Sequence, residues 1–463
     1  MDLKTQENGT NRTSALIIAT ISSFLSSFMG SSINIALPEI EKTFSMNAIT
    51  LSWVATAYLL AVAAFLVPFG KLADIYGRKK IYTIGVAAYT LSSVLCAIAF
   101  SDISMIVFRV LQGISSAMIF STSMAILTSV FSDGGRGKAF GISVSATYLG
   151  LSLGPFIGGI MTKHLGWESI FWVNLPIGVF LLYLVTKLLK GEWAEAQNEK
   201  FDYVGSLILS VSLIALMIGM SHLPMFAGFA LIFGGLAGLV IFVYHQTHIH
   251  NPLLELKLFS KNRVFAMSNL AAFINYSATF AITFMMSLFL QYVKGYEVDK
   301  AGIILVAQPV VMSIFSPLAG YFSDKKEPRI VASVGMLIVT IGLGLLTFIN
   351  CNTPTVAIVL YLMLLGFGFA LFSSPNTNAV MSSVEKKHYG IASSILGTMR
   401  VTGQMFSMGF AMIIISLFMG KAKITPEVFP LFSKSLQTLF GIFTILCFLG
   451  VFASLNRGKV HKI

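Results

Sequence analysis

The chain has 463 residues, of which 56% are hydrophobic and 11% charged, and its mean hydropathy is +0.83. A soluble domain needs roughly a quarter charged residues to cover its surface, so these proportions exclude one and place the chain in a bilayer. The meaning of the net charge of +12 depends on which loops carry it.

Stretches of about 18 or more residues without Asp, Glu or Lys are long enough for a helix to cross roughly 30 Å of hydrocarbon. Fourteen are predicted, over residues 14–36, 50–70, 81–100, 104–130, 139–161, 169–186, 203–221, 225–244, 264–292, 301–322, 330–349, 355–384, 389–419 and 435–455. Neighbouring helices and side chains satisfy backbone groups freed by Gly and Pro, so the 39 glycines do not disturb this reading. The first thirteen residues are polar and no small-residue cleavage site follows the first apolar run, so that run is expected to be a retained helix and not a signal peptide.

The loops set the orientation. With both termini cytoplasmic, the inner segments hold 22 of the 31 Lys and Arg residues and the outer segments hold 7. That asymmetry follows the positive-inside rule. The net positive charge then reads as topology and contact with anionic inner-leaflet lipid, and not as a nucleic-acid patch. The remaining two basic residues, Arg109 and Arg400, fall inside predicted helices. None of the 19 Asp and Glu residues does.

A repeat organises the chain. Gly70-Lys71-Leu72-Ala73-Asp74 follows the second predicted helix and Gly320-Tyr321-Phe322-Ser323-Asp324 follows the tenth, each trailed by basic residues. Two six-helix halves, residues 1–190 and 264–463, would flank residues 191–263, which hold linkers and an inserted pair, helices seven and eight. Paired halves with a site between them near the midplane are a transporter architecture.

The longer run Gly70-Lys71-Leu72-Ala73-Asp74-Ile75-Tyr76-Gly77-Arg78-Lys79-Lys80 resembles the cytoplasmic loop signature of the major facilitator superfamily. Its glycines permit a tight turn, and Asp74 can cap a helix start and pair with Arg78 four residues on. By resemblance, Gly70, Asp74, Gly77 and Arg78 form a conformational switch loop. Gly150-Leu151-Ser152-Leu153-Gly154-Pro155-Phe156-Ile157-Gly158-Gly159 resembles the antiporter motif of exporters. Glycines four apart share a helix face and let another backbone approach, and Pro155 bends the segment. The resemblance makes Gly150, Gly154, Pro155, Gly158 and Gly159 a hinge.

Asn34-Ile35-Ala36-Leu37-Pro38, Arg109-Val110-Leu111-Gln112-Gly113, Phe171-Trp172-Val173-Asn174-Leu175-Pro176-Ile177-Gly178 and Arg400-Val401-Thr402-Gly403 narrow the resemblance to the fourteen-span drug:proton antiporters. Two positions depart from that pattern. Members commonly carry an acid five positions before the Asn of the first of these runs, where this chain has Met29, and the usual Trp-Arg-Trp entry to helix six is Trp167-Glu168-Ser169.

An Arg at mid-membrane costs roughly 2.5 to 3.5 kcal/mol on insertion scales, so Arg109 and Arg400 are expected to face the bundle interior or a wet cavity. Two readings of Arg109 stand: it ties carbonyls of the first helix, or it faces the cavity near Asn34, Gln112 and Tyr148. Candidate cavity or coupling residues are Asn34, Tyr58, Arg109, Gln112 and Tyr148 in the first half, and Gln308, Asn376, Arg400 and Gln404 in the second. A helix-helix hydrogen bond is the competing role for each uncharged one.

The expected fold is all-α integral membrane: fourteen transmembrane helices in a major facilitator arrangement. The resemblance implies proton-coupled efflux of small amphipathic organic compounds by alternating access, from a monomer in a bacterial or archaeal inner membrane. It implies no cofactor, no metal and no enzyme activity. No Gly-x-Ser-x-Gly or His-Glu-x-x-His run occurs, and His245, His248 and His250 read as a solvated linker. A membrane interior without a carboxylate offers a cation no counter-charge, which predicts a preference for neutral, zwitterionic or anionic substrates. The alternative is a dedicated exporter or facilitator of one lipid-like or anionic metabolite.

Overall fold

A backbone in hydrocarbon has no water to bond to, so a chain this apolar satisfies its amides within helices. The computed structural model describes residues 12–46, 48–131, 134–222, 225–254, 257–296, 298–419 and 429–458. Its helices are α1 (Arg12–Phe44), α2 (Ala48–Tyr76), α3 (Arg78–Ala97), α4 (Asp102–Val130), α5 (Arg136–Leu165), α6 (Ser169–Trp172), α7 (Asn174–Leu188), α8 (Tyr203–Ser221) and α9 (Phe226–His248). They continue with α10 (Lys257–Ser260), α11 (Arg263–Thr279), α12 (Ala281–Leu288), α13 (Val298–Lys325), α14 (Pro328–Leu346), α15 (Thr355–Ser382), α16 (Tyr389–Met419) and α17 (Phe429–Leu455). A π-helical turn, Phe289–Val293, follows α12, and a 3-10 turn, Lys386–His388, leads into α16.

Among the described residues, twelve helical segments are long and apolar enough to cross a membrane, and α5 makes a thirteenth if its two arms, 42° apart, count as one. The apolar run of α8, Tyr203–Gly219, is shorter than a full span. The expected count of fourteen therefore rests on that short helix. The predicted sixth span is two helices, α6 and α7, and the ninth combines α11, α12 and the π-helical turn. Hydropathy registers the apolar stretch and is blind to backbone breaks within it. The first helix runs to Phe44, past the predicted end at residue 36, because helical hydrogen bonding continues through Glu39 and Lys42, which pair at 2.7 Å.

Start signals are local. The Ser101 hydroxyl accepts from the Ser104 N–H and the Ser104 hydroxyl accepts in turn from the Ser101 N–H, closing a capping box at α4. Asn262 accepts from the Phe265 N–H at the head of α11.

In the first half α1 packs on α5, α2 on α4, and α3 on α4 and α7; in the second, α13 packs on α15, α14 on α15 and α17, and α11 on α16 and α17. The halves meet where α5 crosses α13 and where α2 and α4 cross α16. Helices α8 and α9 pair with each other, and α8 leans on α2, where the Ser210 hydroxyl donates to the Ala64 carbonyl at 2.8 Å. At their base Asp202 accepts from the Gly205 N–H, Gln246 and His245 at 2.8, 2.6 and 3.2 Å. Burial alone would raise the Asp202 pKa, but these hydrogen bonds outweigh it and hold the carboxyl below the usual range. Helix α9 is the least buried span and turns Phe226, Phe233, Val240 and Tyr244 outward, a surface suited to lipid.

Candidate substrate cavity and conformational switch

The two copies of the repeat occupy equivalent places at the end of the bundle that carries most of the basic loops. Asp74 accepts hydrogen bonds from the Gly390 and Ile391 N–H groups, both at 3.0 Å, at the start of α16. Asp324 accepts from the Gly137 and Lys138 N–H groups at 2.8 and 3.0 Å, at the start of α5. Each carboxylate thus sits on the N-terminus of a helix in the opposite half, where free N–H groups and the helix dipole favour negative charge. Glycine makes the approach possible. A methyl group on Gly390 would stand 2.6 Å from the Gly70 carbonyl, and one on Gly320 would collide with the Gly137 carbonyl. At the basic end the halves are held closed.

The pair is not equal in strength. Asp74 also receives Arg78 Nε and Nη2 at 2.9 and 2.8 Å, and both side chains are buried. Arg78 reaches on to Ser129 Oγ at 2.7 Å and to the Lys386 carbonyl. Asp324 is half-buried and has no such cation among the described residues. Gly77 holds φ +112° at the turn, a backbone conformation that L side chains rarely adopt.

Sequence reasoning treated the linker after α7 as a connector, yet it clasps this loop. Glu192 accepts from the Lys79 and Lys80 N–H groups at 2.8 and 3.1 Å, capping α3, and Glu199 pairs with Lys71. The Arg78 N–H donates to the Trp193 carbonyl and the Ala196 N–H to the Asp74 carbonyl, both at 2.9 Å. Acidic residues after a basic loop were the one available signal.

Helix α5 behaves as its glycines dictate. A methyl on Gly150 would meet the Phe24 carbonyl at 2.6 Å and one on Gly158 would meet Ser32 Cβ at 2.8 Å, while Gly154 faces Ser31. Ser31 and Ser32 hydroxyls donate to the Gly150 and Gly154 carbonyls at 3.2 and 3.1 Å. The 42° bend falls between Gly154 and Phe156, at Pro155, whose side chain lies outside the described residues. Gly159 follows on the arm beyond the bend.

Between the halves lies a cavity of about 100 Å³, walled by α1, α2, α4, α5, α11, α15 and α16. Pockets for drug-sized ligands measure roughly 300 to 1,000 Å³, so in this conformation the cavity is smaller than such a cargo needs. Phe120, Tyr148, Tyr276 and Phe372 supply rings, and Ser123, Thr147, Ser373, Asn376, Thr377 and Ser393 supply polar groups. Arg400 is its one charged lining residue, and no carboxylate contributes, among the described residues. The guanidinium lies 6.0 Å from the Phe120 ring and 5.8 Å from the Tyr276 ring, which belong to opposite halves.

Of the candidates from sequence, Tyr148, Asn376 and Arg400 come together here. Arg109 does not join them. It is fully buried in the first half, donates to the Val54 carbonyl at 2.9 Å and to Gln112, and stacks over the Tyr58 ring at 4.5 Å. Gln112 passes on to Ser93 Oγ at 2.7 Å and Tyr58 meets Ser116 Oγ at 2.6 Å, so these three tie α2, α3 and α4. The carbonyl belongs to α2 and not to the first helix. Gln308 is buried on α13 and Gln404 half-buried on α16, away from the lining, and the side chain of Asn34 lies outside the described residues. Met29 is buried against Trp167, Ile170 and Phe171, and its sulfur accepts from Asn174 at 3.3 Å.

Arg457, counted from sequence as a loop residue, is fully buried. It donates to Asn376 Oδ1 at 2.8 Å, Ser268 Oγ at 3.2 Å, the Ser454 carbonyl at 2.8 Å and Ser454 Oγ, joining α11, α15 and the end of α17. Burial pushes its pKa down to about 9, with Arg329 adding repulsion. Asn376, which also donates to the Ser268 carbonyl at 3.2 Å, is thereby fixed in the cavity wall. Arg457→Ala would strand these acceptors and is expected to destabilise the protein by about 2 to 4 kcal/mol, read as a lower unfolding midpoint in detergent. An unchanged midpoint would contradict it.

Comparison with known proteins agrees with this geometry. The model of the Major Facilitator Superfamily matches residues 19–408 and, in a second match, residues 268–461. The chain belongs to the Major Facilitator Superfamily. It is a multi-pass membrane transporter of that family. It is similar to the riboflavin transporter RibZ of Clostridioides difficile (31% identity, covering 83% of this chain and 84% of that protein). It is also similar to the multidrug resistance protein Stp of Mycobacterium tuberculosis (30%, covering 87% and 76%) and to multidrug resistance protein 3 of Bacillus subtilis (30%, covering 76% and 70%). Among solved structures, the human organic anion transporter MFSD10 superposes with TM-score 0.67 at 14% identity over 96% of this chain and 99% of that one. The proton:xylose symporter XylE gives 0.68 at 14% identity over 95% and 94%. At that identity the likeness is one of fold.

Proposed function

We infer that the protein is a fourteen-span exporter of small amphipathic organic compounds that works by alternating access, with protons as the coupling ion and both termini cytoplasmic. The carrying observation is the pair of carboxylates, Asp74 and Asp324, each seated on a helix start of the opposite half below a cavity that both halves line. On this reading the basic end is cytoplasmic, the conformation is outward-facing, and inward opening requires both caps to release. The twelve full-length helices, the bent α5 and the short α8 make up the fourteen spans, and α8 with α9 is the pair inserted between residues 1–190 and 264–463. Gly150, Gly154, Pro155, Gly158 and Gly159 act as the hinge of α5. The names of the multidrug resistance relatives support a broad substrate range.

The cavity wall supports a preference for neutral, zwitterionic or anionic cargo, because Arg400 makes its potential positive and no carboxylate offsets it. A second reading, a dedicated carrier of one planar metabolite, is favoured by the likeness to a riboflavin transporter and by four aromatic rings beside amide and hydroxyl groups. Reconstituted liposomes carrying a pH gradient, with internal pH followed as compounds are added, separate the two. Proton movement with several unrelated uncharged or acidic amphiphiles is expected. Movement with one flavin-like compound alone selects the second reading, and movement only with quaternary ammonium dyes overturns the charge preference.

A further inference from the structure

Arg400 is held at the cavity in an unusual way. Its guanidinium has five donors, yet among the described residues it makes no hydrogen bond and no ion pair, and its described contacts are the Phe120 and Tyr276 rings near 6 Å. Cation–π contacts at that distance are weak beside a charge-assisted bidentate bond. Contrast Arg78, Arg109 and Arg457, each of which donates to two or more named oxygens. Those three are buried structural ties, whereas Arg400, half-buried, lines the cavity with unused donors.

We propose that Arg400 selects the cargo: its guanidinium takes the carboxylate or sulfonate of an aromatic acid whose ring packs against Phe120, Tyr148 and Tyr276. This deepens the transporter reading above and rests on it. The chemistry is specific. A planar fork of N–H donors matches two oxygens of an oxyanion, which a compact ammonium does not. Rings contributed by α4, α5 and α11 lie around the cavity and supply a flat apolar surface for the body of the molecule. The bound anion also draws the guanidinium off two rings that belong to opposite halves. Loading the site thereby removes the one of these two contacts that joins the halves, that to Phe120, since Arg400 and Tyr276 both belong to the second.

The test pair is naphthalene-2-sulfonate and its neutral isostere naphthalene-2-sulfonamide, followed by uptake into proteoliposomes of the full-length protein and by titration onto the purified protein. The parent is expected to favour the sulfonate at least about tenfold. Arg400→Gln is expected to lower the sulfonate-to-sulfonamide ratio by about tenfold or more, and Arg400→Lys by less, because charge survives without the fork. Equal handling of both compounds by the parent, or an unchanged ratio in Arg400→Gln, overturns the assignment and leaves the transporter reading standing. A parent that moves neither compound also overturns the assignment, while the liposome pH assay above decides the transporter reading separately. Unfolding midpoints separate a misfolded variant from a reselected one, and Arg400→Lys keeps the ratio measurable if Arg400→Gln does not fold.

Discussion

Asp74→Asn is expected to lower transport at least about 100-fold while leaving the protein in the membrane. The carboxylate has four hydrogen bonds in this conformation, two from Arg78 and two from the start of α16. An amide keeps one acceptor and turns an NH2 group toward a backbone N–H. Arg78, fully buried, loses its counter-charge, and breaking one side of a buried pair costs about 3 to 5 kcal/mol. The bonds to Gly390 and Ile391 exist only while the basic end is closed, so much of that loss falls on this one state of the cycle. A bias of that size exceeds a hundredfold in population. Asp324→Asn is expected to cost less, about tenfold, since its carboxylate caps α5 and, among the described residues, pairs with no arginine. Uptake in proteoliposomes with matched protein content measures both, and parental rates in Asp74→Asn would refute the switch.

Gly320→Ala is expected to prop the basic end open. The added methyl runs into the Gly137 carbonyl, a backbone atom that cannot swing aside, so α13 and α5 must separate. Overpacking of a tight contact costs roughly 1 to 3 kcal/mol, and here the strain is relieved by opening. Ser374, fully buried, donates to the same Gly137 carbonyl at 3.2 Å and reports the change. With Cys351, the one exposed cysteine of the three, replaced by Ser, a Ser374→Cys probe is expected to react at least about tenfold faster with an impermeant thiol reagent in the Gly320→Ala background. Gly441 serves as control, because a methyl there meets only Thr347 at 3.7 Å, an ordinary contact. Equal labelling in both backgrounds would sink the prediction.

Both predictions begin with residues that stand out in the sequence. The repeat of Gly70 and Asp74 in Gly320 and Asp324 is legible because a tight helix crossing followed by a helix cap needs glycine and a short acid at fixed spacing. The α5 glycines are legible for the same reason. Arg109 and Arg400 look alike in sequence, each a lone cation in an apolar run. One is closed off by Val54, Gln112 and Tyr58, and the other faces the cavity. The difference lies in which helices surround each face, and periodicity within one helix does not contain that. Arg457 does lie past the last span, which ends at Leu455, but its burial against Ser268 and Asn376 comes from α11 and α15 and leaves no local mark. Phe120 and Tyr276 are two among 39 Phe and 14 Tyr, with nothing local to mark them.

By itself the sequence determined the solvent, the helical class, the basic asymmetry and the family, because each follows from composition and from motifs whose chemistry is local. Tertiary structure alone decided which polar groups meet: that Asp74 and Asp324 cap helices of the opposite half, that the linker clasps the switch loop, and that Arg400 has donors to spare. Hydrogen bonds and charges act over a few ångströms, and residues separated by hundreds of positions come that close only when the two halves pack.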